Sequence, residues 1–194
     1  MSKILENLHR TLAAGVVLAI VVFLIVNLSG FDAGPYFSFL FRFIHVWFGV
    51  LWIGLLYYFN FVQIPSMPKI PDEQKPAIGK VIAPTALYFF RYAALGTIAF
   101  GLITAAHNRI LFDALSFQPG FVTIGIGMWL ALIIGFNVWF VIWPNQKRAL
   151  GIVDADADTK KKSARVAMLT SRVNTMLSIP MLYCMVAQQQ GIGS

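Results

Sequence analysis

"FRFIHVWFGVLWIGLLYYFNFVQIP", residues 41–65, carries a single formal charge, Arg42, in an otherwise apolar run. A helix needs about 20 apolar residues to cross the hydrocarbon core of a bilayer, and this run is long enough. The whole chain agrees with that reading. Of its 194 residues, 58% are hydrophobic and only 12% are charged, well below the ~25% usual in soluble domains. The fold class is therefore all-α, an integral membrane bundle in the lipid bilayer. The net charge of +7 does not point to nucleic acid, because the basic residues sit in the connections between apolar runs.

Four more runs of the same kind complete the pattern. The expected spans cover about 12–28, 39–62, 83–106, 121–143 and 173–187, forming one membrane domain over 1–194. Lys69, Lys75, Lys80, Lys147, Arg148, Lys160 to Lys162, Arg165 and Arg172 fall on the side of Lys3 and Arg10. The other side keeps Arg109, with Arg42 near the start of the second span. By the positive-inside rule the N-terminus is cytoplasmic, and five spans then place the C-terminus outside. The apolar run after Arg10 reads as a span and not as a cleavable leader, since no small-residue cleavage site follows it. Pro65, Pro68, Pro71 and Pro76 predict a stiff, non-helical connection between the second and third spans.

Polar residues inside spans are expensive, so each needs a reason. His45, Gly49, Trp52, Leu56 and Gln63 share one stripe of the second helix, with Asn60 beside it. Gly49, one turn from His45, leaves room either for something flat or for a neighbouring helix. Three readings of His45 stay open: a haem b ligand paired with His107, a lone metal or haem ligand, and a histidine bonded to a neighbouring helix. His107 lies at the rim of the third span, and His9 lies on the opposite side of the membrane. Arg91 is expected at the same depth as Asn60, Asn137 and Asn174, and no Asp or Glu lies within any span. Either amides and carbonyls satisfy it, or these four residues line a pocket for a substrate or another anion.

Several other features have structural explanations. Gly127, Ala131 and Gly135 read as a close-packing seam, and Tyr57, Tyr58, Trp139 and Trp143 as an interfacial aromatic belt. Pro180 predicts a kink in the last span. The "DADADTKKK" loop fails as a calcium loop, because Thr159 and Arg165 stand where Gly and Glu are needed. The single cysteine, Cys184, permits neither an internal disulfide nor a cysteine-based cluster.

The stretches "HVWFGVLWIGLLYYFNFVQ", "NVWFVIWPNQK" and "SRVNTMLSIPMLYCMV" together resemble the membrane domain of bacterial membrane-bound urate oxidase. The resemblance implies a redox protein of the bacterial inner membrane, with electrons passing to a cytochrome c. No CxxCH occurs in the chain, so the expected acceptor is an external cytochrome. The contrasting expectation is a cofactor-free accessory subunit of a larger membrane complex. A transporter is disfavoured, because the spans hold neither an acidic relay nor a repeat.

Overall fold

The computed structural model describes residues 2–28 and 30–192. Among these residues every regular element is a helix, and the chain divides into two compact units, Met1–Phe39 and Leu40–Ser194. Met1 and Ser194, the termini whose sidedness the charge pattern predicts, lie outside the described residues.

The first unit holds α1 (Ser2–Leu5), α2 (Leu8–Val26) and the opening of α3 (Ala33–Tyr57). Asn7 caps α2 by accepting the Arg10 backbone N–H at 3.2 Å. Phe23 packs against Phe31 and Tyr36, with centroids 5.6 and 4.6 Å apart. No residue of α2 is buried, as expected for a helix presenting apolar side chains to lipid.

The second unit continues α3 and adds seven more helices. They are α4 (Ile64–Ser66), α5 (Lys75–Ala77), α6 (Ala83–His107), α7 (Leu111–Leu115), α8 (Val122–Phe136), α9 (Trp143–Ala149) and α10 (Ala157–Gln189). Trp52, Leu56, Phe90, Ala94, Ile134 and Val138 pack into one core at the junction of α3, α6 and α8. Among the described residues, four helical stretches are long and apolar enough to cross a membrane: Leu8–Val26, Ala33–Lys69, Lys75–His107 and Val122–Ala149.

Three of these stretches run longer than the apolar runs alone indicate, and the reason is local. Pro65, Pro84 and Pro144 lack an N–H, and each ring crowds the carbonyl four residues back. The chain answers each time with a widened π turn just before the proline: Tyr58–Gln63, Ile78–Ile82 and Asn137–Ile142. Ile64, Ala83 and Trp143, each next to its proline, donate five residues back to Phe59, Ile78 and Val138. Contrary to the non-helical connection expected, the helix therefore continues through Pro65 and Pro68 to Lys69.

The last helix also departs from expectation. The segment from Asp156 to Arg172, expected as a loop, is helix from Ala157, because Asp156 caps it by accepting the Thr159 N–H at 2.8 Å. The apolar part, about 173–187, would reach only ~22 Å at 1.5 Å per residue, and α10 is not one of the four span-length apolar helices. It belongs to the bundle all the same. α10 packs along α8 and α9, with Asn174 and Ser178 fully buried.

The glycine seam on α8 serves different neighbours. Gly127 faces Cys184 and the Met181 carbonyl of α10, whereas Gly135 faces Ile98 of α6 and the Trp52 ring.

Candidate functional site

α3 and α6 pack antiparallel, and His45 lies in their contact. Its Nδ1 is 2.7 Å from the Thr97 carbonyl oxygen, which can only accept, so Nδ1 carries the proton. Neutral imidazole then keeps its lone pair on Nε2. The Thr97 hydroxyl is itself engaged, donating to the Ala93 carbonyl at 2.7 Å, so its position is fixed by its own helix. The imidazole lies on Gly101, where an added Cβ would stand 2.9 Å from both Nδ1 and Cε1. One turn along, the Phe48 ring covers Gly96 in the same way.

Gly101 and Gly96 are the site residues that sequence reasoning missed. Gly49 plays a different part from the open slot that one reading gave it. An added Cβ there would meet Thr97 Cγ2 at 3.7 Å, so the space beside Gly49 is taken up by α6. Trp52 is wholly buried in the core, with its indole N–H unpartnered.

His107 is six residues beyond Gly101, about 9 Å along the α6 axis. Its ring meets Phe41 edge-on at 5.4 Å, one turn from His45 on α3. The two histidines therefore occupy successive levels of one helix contact. The direct His45–Gly101 contact leaves no gap between α3 and α6 for a macrocycle ligated from both.

The His45 Nδ1–H bond to a main-chain carbonyl is the arrangement that orients ligating histidines and raises the basicity of the other nitrogen. Among the described residues, no group of three or more His, Cys, Asp or Glu could hold a bare metal ion. A haem brings four nitrogen donors of its own and needs only an axial one from the protein. If a haem is bound, His45 alone would hold it more readily than His45 and His107 together, and the residues suit a bare metal ion less well.

The polar residues of the other half form separate pairs. Asn137 Nδ2 donates to Asn174 Oδ1 at 2.8 Å, and Asn174 Nδ2 donates to the Ile134 carbonyl at 3.1 Å. Asn60 Nδ2 donates to Ser171 Oγ at 2.8 Å and to the Leu56 carbonyl at 2.9 Å. Tyr57, expected in the aromatic belt, instead reaches Ser178 across helices, oxygen to oxygen at 3.0 Å. Arg91 joins none of these pairs. Its guanidinium carbon lies 3.4 Å from the centroid of the Trp143 ring.

The Asn137–Asn174 pair locks α10 to α8, so Asn174→Ala should remove two buried bonds and orphan the Asn137 amide. We expect a loss of about 1–3 kcal/mol, against a few tenths for Asn145→Ala, whose amide bonds only to Val141 of its own helix. Thermal melts of the two variants in detergent check this. Equal melting temperatures would show that the interhelical pair contributes nothing.

Residues 78–192 match the protein family described as urate oxidase N-terminal. The chain belongs to that family. No curated protein and no solved structure matches it. The region shared with the urate oxidase N-terminal family covers α6 to α10 and contains Thr97, Gly101, Arg91, Asn137 and Asn174. Two of the stretches that resemble membrane-bound urate oxidase, beginning at Asn137 and at Ser171, fall inside it. The one that begins at His45 precedes it.

Proposed function

We propose that this urate-oxidase-like membrane domain is a redox protein of the bacterial inner membrane. It holds a haem through His45 Nε2 and passes electrons to an external cytochrome c. The observation that carries this reading is the His45 Nδ1–Thr97 carbonyl bond, which presets the tautomer that would leave Nε2 free to hold a haem. When bound, the haem supplies one-electron chemistry. The chain holds and orients the ligand, with Gly101 as the seat for the ring and Thr97 as the acceptor that stops it rotating. Val46, Trp47 and Val50 of the same helix present exposed apolar side chains. α10 packs along α8 and α9 within the second unit.

The test is an optical spectrum of the purified protein. A Soret band is expected, and His45→Ala should abolish it, whereas His107→Ala should leave most of it. Reduced protein should then reduce added cytochrome c. Haem-free protein at normal yield would replace this reading with that of a cofactor-free accessory subunit, in which the His45–Thr97 bond is simply an interhelical tie.

A further inference from the structure

Among the described residues, Arg91 is the one buried cation, and the redox reading leaves it unused. It is only 8% exposed, and its Nη1 is buried without a hydrogen-bond partner. A guanidinium has five N–H donors and stays charged, so burying it without acceptors is costly. The Trp143 ring offsets part of that cost through its π face, but it accepts no fork of hydrogen bonds. A second cation stands on the same indole, with Lys147 Nζ 5.7 Å from the ring centroid. The only ion pair among the described residues is Lys75–Asp72, on the surface, so no carboxylate balances these two charges. Trp139, one turn before Trp143, adds another buried and unpartnered N–H. Arg91 and Lys147 both stand on the Trp143 ring, and among the described residues no carboxylate pairs with either.

We propose that Arg91, Trp143 and Lys147 bind the phosphate group of an anionic bilayer lipid. A phosphate oxyanion suits a planar guanidinium fork combined with a lysine point charge, since it accepts from both at once. Its source is the bilayer, because the rings beside the site face outward into the apolar phase. Tyr92, 47% exposed, meets Trp139 edge-on at 5.8 Å, and Tyr88, 52% exposed, packs on Tyr92. An acyl chain can lie along these rings while the headgroup reaches the basic end of the helix at Lys147 and Arg148.

The test uses the full chain, purified in neutral detergent and stripped of lipid. Phosphatidylglycerol should raise its melting temperature by about 5 °C, while phosphatidylcholine and millimolar inorganic phosphate should each give less than half of that. Arg91→Gln should remove the phosphatidylglycerol shift, and Arg109→Gln should keep it. If Arg91→Gln does not fold, Lys147→Gln, at the helix end, should at least halve the shift. Equal shifts with both lipids, or a phosphatidylglycerol shift untouched by the variants, would overturn the proposal. A full shift with inorganic phosphate alone would overturn the lipid as its source.

Discussion

Gly101→Ala protein should retain about one-tenth of the haem affinity of the parent, whereas Gly49→Ala should retain nearly all of it. The two glycines lie on facing helices at the same site, yet their surroundings differ. A methyl at 101 would stand 2.9 Å from two atoms of the His45 ring, closer than real Cβ atoms come. The imidazole must then tilt, which lengthens its bond to the Thr97 carbonyl and draws it off its rotamer. Losing that bond and straining the torsion together cost about 1–2 kcal/mol, or roughly tenfold in binding. A methyl at 49 would meet Thr97 Cγ2 at 3.7 Å, an ordinary contact. Haem titration followed at the Soret band reads the difference directly. Equal affinities in the two variants would mean that His45 is not positioned by its seat on α6. Melting temperatures of the haem-free forms give a second readout of the same contact, since the tilted ring loses its interhelical bond with or without a cofactor.

The apolar runs made the membrane bundle legible, and the intramembrane polar residues were legible as inward-facing. Asn60, Asn137 and Asn174 do face neighbouring helices, because a buried amide in a bilayer has no other partner. Which amide meets which depends on helix rotation, and the prolines alter that rotation. Each π turn takes in an extra residue, so Asn60 and Asn137 sit on widened turns that a uniform 100° advance misplaces. The start of α10 was legible in principle. Asp156 and Thr159 in "DADT" form an N-cap pair, a helix-start signal that overlaps the calcium-loop-like run of aspartates. The partner of Arg91 was not legible at all. An arginine without a carboxylate leaves carbonyls, amides, anions and indoles all open, and only the packing of α6 beside α9 selects Trp143.

Gly125→Ala should lower the melting temperature by on the order of 10 °C, the largest loss expected from any single methyl in this bundle. Its Cβ would stand within van der Waals overlap of the Ala114 carbonyl oxygen, and 3.0 Å from a Phe117 ring atom. What decides the size of the effect is whether that carbonyl can retreat. Three features hold it in place. Ala114 is fully buried, and the Trp129 indole N–H of α8 grips the next carbonyl, that of Leu115, at 3.0 Å. The short helix α7 is also flanked by Arg109 and Phe117 at φ 61° and 56°, left-handed conformations that side chains adopt only when their surroundings hold them there. Moving α7 away would release these contacts together, so the cost falls at the upper end of the ~1–3 kcal/mol typical of overpacking. Gly135 provides the contrast. A methyl there also overlaps a neighbour, but that neighbour is Ile98 Cδ1, the free end of a side chain that can turn aside. Gly135→Ala should therefore cost less than half as much, although both glycines lie buried on the same helix. Comparable melting temperatures for the two variants would show that α7 moves freely and that Gly125 is not what seats it against α8.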